Sequence, residues 1–336
     1  MLRLLPAFQA SPQVNHIKSN SEREFWRHAC FLGLAVLSAI VFRRALWTVL
    51  GSSLDLDKYS HILLVAPVSA ALLYLARKKV WAQVSYSKAG GLALLLLVAA
   101  FAYASTQSEA FSESGYLSLS FLFFVSWCLA AFVCCYGVAA FRAAPFPLLF
   151  SLLMVPLPDW VLEHIIVALQ NGSAVATCLL LQAAHIPYVR NGVVLDLPKV
   201  SIYIAEECSG IRSSMVLLLS TLVLGHLYLK HGWTQALLAL AAFPLTIARN
   251  GLRIFVLSTL GMYVDPSFLS GRLHRDGGFI FFGIAFAGIL VLIWLFQKLG
   301  LDPGTAPPCP PPATARVKPV AVEQGPDPVP ETVCKS

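Results

Sequence analysis

The feature that most constrains this chain is a series of long apolar segments that recur along nearly its whole length. A helix needs about 20 mostly apolar residues to cross the hydrocarbon core of a bilayer. Stretches such as "GGLALLLLVAAFAYA" are continuously apolar, whereas the strands of a membrane β-barrel alternate apolar and polar residues. The sequence therefore predicts an all-α, polytopic bundle of about eight transmembrane helices. The predicted spans are 29–50, 59–76, 89–107, 116–140, 145–157, 207–229, 234–262 and 277–297.

Composition supports a membrane protein and argues against other classes. Hydrophobic residues make up 57% of the chain and charged residues only 12%, which is outside the range of soluble globular domains. The net charge of +7 comes from short basic clusters between apolar segments, so nucleic-acid binding is not predicted. The eight cysteines imply no disulfide framework, because several lie in apolar segments, where cysteine packs as a small hydrophobic residue. No metal or cofactor is predicted.

The basic clusters also predict the orientation, because cytoplasmic loops of membrane proteins are enriched in lysine and arginine. With eight spans the clusters all fall on one side, which would be the cytoplasm and would hold both termini. The loops around 51–58, 108–115, 158–206 and 263–276 would face the extracytoplasmic side. The clusters contain Arg23, Arg27, Arg77, Lys78, Lys79, Arg142, Lys230, His231 and Lys298.

The loop 158–206 is much longer than the other three. Its first part, "DWVLEHIIVALQNGSAVATCLLLQAAHIP", predicts an amphipathic helix at the membrane interface. The alternating "VVLDLPKVSIYIAEEC" predicts a hairpin packed on the membrane surface. An extracytoplasmic helix and hairpin are therefore expected immediately before the sixth span.

The ends of the chain and the fifth segment depart from the simple pattern of spans. Residues 1–28 are polar, so they are predicted to be a cytoplasmic segment without a short cleavable signal peptide. The membrane domain is predicted to cover 29–298. The fifth segment, 145–157, is short and contains several prolines, as in a broken or partial span. Residues 299–336 are rich in proline and are predicted to form a disordered cytoplasmic tail.

The sixth span begins with a chemically distinctive stretch, "IAEECSGIRSS". The predicted topology puts Cys208 at the extracytoplasmic mouth of this span, directly after Glu206 and Glu207. Arg212 lies one turn deeper on the same helical face, because residues four apart are neighbours on a helix. A thiol therefore has charged groups on both sides of it.

The seventh and eighth spans add further polar residues at the same mouth. In "PLTIARNGLRIFVLS", Arg249, Asn250 and Arg253 lie well inside an apolar run. An arginine within a bilayer costs at least a few kcal/mol on insertion scales, so it normally faces the bundle interior and marks a site. The eighth span opens with "GRLHRDGGFIFF", which places His274 at the same predicted depth as Cys208.

These residue types suit acyl transfer through a thiol. A neighbouring cation or base lowers the pKa of a cysteine and makes it a nucleophile, and a histidine can relay the proton near neutral pH. An arginine can hold the thiolate or donate hydrogen bonds to an oxyanion. His61 in "YSHILLVAP" is a rival for the base, since it also lies at an extracytoplasmic mouth.

The residues alone leave other functions open. Buried arginines also serve transporters and lipid-headgroup sites, so the alternative is a non-enzymatic component of polysaccharide or lipid export. That alternative accounts for Arg249 and Arg253 but gives Cys208 no task. Arg212 and Arg249 would support the bundle or contact a lipid headgroup. Glu207 would orient His274 or an arginine, or would be a solvated loop carboxylate.

Across residues 59 to 297 the sequence resembles the exosortase/archaeosortase family of membrane transpeptidases. The motifs that carry the resemblance are "YSH", "FRAAPFPLLFSLLMVPLP", "NGVVLDLP" followed by "IAEECSGIRSS", "ARNGLRI" and "LHRDGG". The resemblance implies a sortase-like activity on a different fold, with Cys208, Arg253 and His274 as the catalytic residues. Glu207, Arg212, Arg249, Asn250 and His61 are expected to bind substrate or to support the site.

The resemblance also implies the partners and the location. The substrates would be exported proteins with a C-terminal signal made of a Pro-Glu-Pro-type motif, a transmembrane helix and a basic tail. The histidine at the third catalytic position favours the bacterial branch, so the site is expected at the periplasmic face of the inner membrane, in contact with membrane lipids. Ile62 stands where family members often have glycine, which weakens any role for His61. No further extracytoplasmic domain is expected after the last span, so a partner of that kind would be a separate chain.

Overall fold

The helices predicted from sequence are present, and they build one all-α membrane bundle with a small sheet. The computed structural model describes residues 12–55, 61–85, 88–106, 112–204, 211–269 and 278–302. The helices are α1 (Pro12–Val41), α2 (Arg43–Asp55), α3 (Ile62–Ala82), α4 (Lys88–Thr106), α5 (Glu113–Ala143), α6 (Pro145–Phe150), α7 (Asp159–Ala183), α8 (Ile211–Tyr228), α9 (Gly232–Tyr263) and α10 (Gly278–Lys298). The strands are β1 (Val189–Asn191), β2 (Val194–Leu197) and β3 (Val200–Tyr203), and 3-10 turns cover Ser151–Met154 and Pro266–Leu269.

Length and composition confirm a polytopic membrane protein. Among the described residues, five helices are long and apolar enough to cross a membrane: α1 from Glu24 onward, α5, α7, α9 and α10. Shorter apolar helices lie within α4 and α8 and over Pro145–Met154. The first predicted span is divided at Phe42, between α1 and α2. The backbone hydrogen bonds continue through this point, from Phe42 to Ser38 and from Leu46 to Phe42, so the division is a local irregularity.

The fifth predicted span is a partial one. α6 and the 3-10 turn that follows cover only residues 145–154. Ten helical residues extend about 15 Å, roughly half of the hydrocarbon core. The helix cannot continue because Pro156 and Pro158 lack the N–H that a further helical turn needs.

The helix and the strands predicted for 158–206 are both found. β1, β2 and β3 form an antiparallel sheet in chain order, as an extended hairpin. α7 differs from a helix lying on the membrane surface, because it packs along α9 in the same chain direction: Gly172 lies against Ile247, and Ala176 lies against Gly251. Small residues at such contacts let two membrane helices approach closely. α7 is therefore part of the bundle.

We expect a Gly251→Ala substitution to destabilise the bundle. A β-carbon at Gly251 would lie 2.5 Å from Cβ of Ala176, so α7 and α9 would have to separate. Alanine is intrinsically about 1 kcal/mol better than glycine in a helix, and Gly283→Ala in α10 is the matched control because nothing lies within 4 Å of its added β-carbon. Thermal unfolding in detergent should show a lower midpoint for Gly251→Ala only. Equal midpoints for the two variants would contradict the close contact.

The bundle extends slightly beyond the predicted boundary at 298. Asp302 is fully buried and accepts hydrogen bonds from the backbone N–H groups of Lys230 and His231 and from the hydroxyl of Thr234. Burial raises the pKa of this carboxyl, but these hydrogen bonds outweigh burial and lower the pKa to about 2. Residues 299–302, assigned to the tail from sequence, therefore hold the start of α9. The tail from 303 lies outside the described residues.

Candidate active site

Three elements converge where the sequence predicts the site. β3 leads to Ile204, α8 begins at Ile211, and α9 carries the two arginines. Cys208 and the neighbouring Glu206 and Glu207 belong to the segment 205–210, which lies outside the described residues. The same is true of His274. For Arg212 the structure describes the helix but not the side chain.

Both arginines of α9 point into the bundle, as the cost of exposing them to lipid predicts. Arg249 is only 5% exposed, and its Nε donates no hydrogen bond within the part of the chain that the structure describes. Arg253, one turn further along the same face, is half-buried, and its Nε is also shielded from solvent. A planar guanidinium in such a setting offers paired donors to a carboxylate or an oxyanion.

Asn250 connects α9 to α7 instead of facing the arginines' side. It is fully buried, and its Nδ2 donates to the hydroxyl of Ser173 at 3.0 Å. The hydroxyl of Thr177 donates to the carbonyls of Ser173 and Gly251. Hydrogen bonds between membrane helices fix their relative position, so these residues set the height and rotation of the arginine-bearing part of α9.

A large apolar cavity lies beside the arginines. Its volume is about 800 Å³, and residues of α5, α7, α8 and α9 line it together with His61 and the Leu152–Pro158 region. Ala242 and Thr246 of α9 line this cavity. Arg249 and Arg253 continue the same stripe of the helix, because the spacings of 3 and 4 residues keep them on one face. The arginines therefore follow Thr246, the last α9 residue of the cavity wall, by one and two turns on the same face of the helix.

The cavity wall also includes the start of α8 and His61, the alternative to His274 as the general base. Ile211 and Ser214 line the cavity from the first turn of α8, immediately after the segment that contains Cys208. His61 is buried and lines the same cavity from the start of α3. The structure thus brings His61 to the chamber next to the arginine stripe, although its catalytic role stays a prediction.

One residue of this region, Gln170, is not among those predicted from the sequence. Its side chain is 93% buried, since only 7% is exposed, and its Nε2 donates to the backbone carbonyl of Ile204 at 3.0 Å. Ile204 is itself buried, and its N–H donates to the carbonyl of Val193. Gln170 therefore fixes the chain end from which the Cys208 segment departs. The signal that could have found it is a glutamine inside the apolar stretch "HIIVALQNGSAVATC".

We expect Gln170→Leu to destabilise the link between α7 and the end of the sheet. The Ile204 carbonyl would stay buried without its donor, at a cost of about 1–3 kcal/mol. Asn171→Leu is the matched control, because Asn171 is exposed and, among the described residues, donates to the carbonyl of Val167 in its own helix. The thermal midpoint of the purified protein should fall for Gln170→Leu and stay within about a degree for the control. A Gln170→Leu variant as stable as the parent would show that the hydrogen bond contributes nothing.

Comparison with known proteins gives one match. A family model described as transmembrane exosortase matches residues 47–291. No curated protein and no solved structure matches the chain. The matched range begins in α2 and ends in α10, so it contains the cavity, the α7–α9 contact and every predicted site residue.

Proposed function

Because the chain belongs to the transmembrane exosortase family, we propose that it is a membrane cysteine transpeptidase or protease that cleaves C-terminal sorting signals of exported proteins. The observation that carries the proposal is a buried and a half-buried arginine on the face of α9 that, one to two turns earlier, lines an apolar chamber together with the start of α8. An export component needs no nucleophile at this position, whereas this chain has a cysteine three residues before Ile211.

Covalent geometry supports the pairing of Cys208 with Arg253. A chain extends at most about 3.5 Å per residue, so Cys208 has to lie within about 14 Å of Ile204 and about 11 Å of Ile211 by the same limit. Ile204 packs in one cluster with Ile254, the neighbour of Arg253. The described chain therefore leads into the segment that contains Cys208 beside the part of α9 that carries Arg253.

The proposed reaction has two steps. The Cys208 thiolate attacks the carbonyl carbon of the scissile peptide, the C–N bond breaks, and His274 protonates the leaving amine. His274 then takes a proton from the acceptor, which attacks the thioester carbonyl, and the C–S bond breaks and releases the Cys208 thiolate. Arg253 donates hydrogen bonds to the oxyanion of each tetrahedral intermediate, or stabilises the thiolate before attack. The acceptor is water, a lipid amine or a polysaccharide hydroxyl.

The size of the chamber limits how a signal helix would bind. A helix with side chains is at least about 10 Å across and rises 5.4 Å per turn, so one turn occupies about 400 Å³. The cavity of about 800 Å³ is on the order of a few turns, whereas a spanning helix has more than five. The signal helix would therefore approach sideways from the lipid and insert only the part near the scissile bond.

The test is co-expression with an exported reporter that ends in a Pro-Glu-Pro motif, a transmembrane helix and a basic tail. The host should be a bacterium that processes no such reporter by itself. We expect a shorter reporter only when this chain is present, and the mass of its new C-terminus identifies the acceptor. A reporter whose motif is changed to Ala-Ala-Ala is the control. An unprocessed reporter beside correctly inserted protein would refute the proposal for this signal class.

We also expect the site to face the periplasm from the inner membrane. Fusions of alkaline phosphatase at Leu195 should be active, and those at Lys79 inactive, because only periplasmic phosphatase folds with its disulfides. Fusions of a cytoplasmic reporter at the same points should show the reverse pattern. If both fusion points lay on the same side of the membrane, the predicted orientation would be wrong. The sheet would then not be shown to lie on the periplasmic face.

A further inference from the structure

A second hollow lies at the ends of α3 and α5. Its volume is about 810 Å³, and its wall contains Lys78, Lys79, Gln83 and Arg142. Alanine and valine side chains form the rest of the described wall. The basic clusters predict that this end of the bundle is cytoplasmic, which is opposite to the predicted face of the catalytic residues.

An unusual backbone conformation brings the two helix ends together. Within α5, Gly137 has φ 90° and ψ 164°, in the region that only glycine adopts readily. A β-carbon there would lie 2.0 Å from the carbonyl oxygen of Ser85, whose N–H donates to the carbonyl of Tyr136. The chain after α3 is thus bound to the kink of α5, and Arg142, beyond the kink, joins the lysines of α3.

The hollow holds more positive charge than the helix ends neutralise. Two helix C-termini carry about half a negative charge each, against three full cations. Within the described part of the chain, Lys78, Lys79 and Arg142 take part in no ion pair with a carboxylate. Arg77 differs from them, because it donates to the carbonyl of Tyr74 and stacks on that ring. About two positive charges therefore remain for an anion.

The surroundings of the hollow identify the source of that anion. Tyr74 and Trp81 project from α3 at this end and are 64% and 47% exposed. Exposed tyrosine and tryptophan mark the headgroup level of membrane proteins, and basic pockets between helix ends at the cytoplasmic side bind anionic headgroups. We propose that this hollow binds the phosphate headgroup of an anionic membrane lipid, through Lys78, Lys79 and Arg142.

The proposal is tested on the purified full-length protein in nanodiscs of zwitterionic lipid to which phosphatidylglycerol or cardiolipin is added. The variant is Lys79→Gln/Arg142→Gln. Its matched control is Lys230→Gln/Lys298→Gln, which removes two cations from the same predicted face outside the hollow. All four side chains are exposed, so both variants should fold, and their thermal midpoints in zwitterionic lipid should equal that of the parent.

We expect anionic lipid to raise the midpoint of the parent and of the control with the same concentration dependence. A basic residue that contacts the bound headgroup contributes roughly fivefold to its affinity, so the variant should need about thirtyfold more anionic lipid. If the response to anionic lipid were weakened equally in the variant and the control, it would depend on general surface charge. The proposed binding site would then be wrong. A midpoint raised equally by inorganic phosphate would show a free-anion site and overturn the assignment to lipid.

Discussion

A Cys208→Ala variant is expected to leave the sorting-signal reporter uncleaved, although the protein inserts and accumulates normally. Without the thiol no thioester can form, and removal of a covalent nucleophile lowers turnover by up to about a million-fold. Cys208→Ser should be nearly as inactive, because no neighbouring arginine brings the pKa of a hydroxyl close to neutral. Immunoblotting of the reporter measures its cleavage, and immunoblotting of membranes measures how much of the variant has inserted.

Cys135→Ala is the matched control for the cysteine series. Cys135 is buried in an apolar cluster with Phe132, Ala140 and Leu148, so its loss affects packing but removes no candidate nucleophile. This variant should process the reporter in proportion to the amount of folded protein. Full processing by Cys208→Ala would end the enzyme hypothesis and favour a role in polysaccharide or lipid export.

Arg253→Lys is expected to reduce processing by about a hundredfold to a thousandfold, the usual cost of losing an oxyanion donor. Lysine keeps the positive charge but loses the planar pair of donors. The same substitution one turn earlier, Arg249→Lys, is the control, because Arg249 shares the helix, the helix face and the charge. We expect Arg249→Lys to keep more than about a tenth of the activity. The measurement is the single-turnover rate of reporter cleavage in membranes that contain either the Arg253→Lys or the Arg249→Lys variant.

The result for lysine distinguishes the two roles proposed for Arg253. If Arg253→Lys keeps most of the activity, the arginine acts through its charge by lowering the pKa of Cys208. The pH profile would then be nearly unchanged for lysine and shifted upward for Arg253→Gln. An inactive Arg249→Lys beside an active Arg253→Lys would mean that Arg249, and not Arg253, contacts the reacting group.

α7 explains how the bundle holds this site together. Its one face carries Gln170, Ser173 and Thr177, which bond to the end of the sheet and to α9. A single helix therefore positions both the chain that leads to Cys208 and the helix that carries Arg253. The two predicted partners of the reaction are far apart in sequence, and α7 is the described element that contacts the supports of both.

The sequence by itself determined the all-α membrane architecture and the burial of the arginines. Both follow from transfer free energies that each segment carries locally: about 20 apolar residues favour a spanning helix, and an arginine among them is driven to the interior. The fifth segment is incomplete for an equally local reason, because its prolines interrupt the helix wherever it packs. The motifs indicated the family, although the contacts of Cys208 and His274 stay predictions.

Only the tertiary structure decided which faces meet. Gln170 and Ile204 are 34 residues apart, and Asn250 and Ser173 are 77 apart, so no periodicity within one segment encodes these pairs. The placement of α7 in the bundle follows from its fit to Gly251, and the basic hollow follows from the kink at Gly137. Both features depend on the shape of the second segment against which the first one packs. Hydropathy measures the affinity of a single segment for lipid and does not measure the fit between two segments.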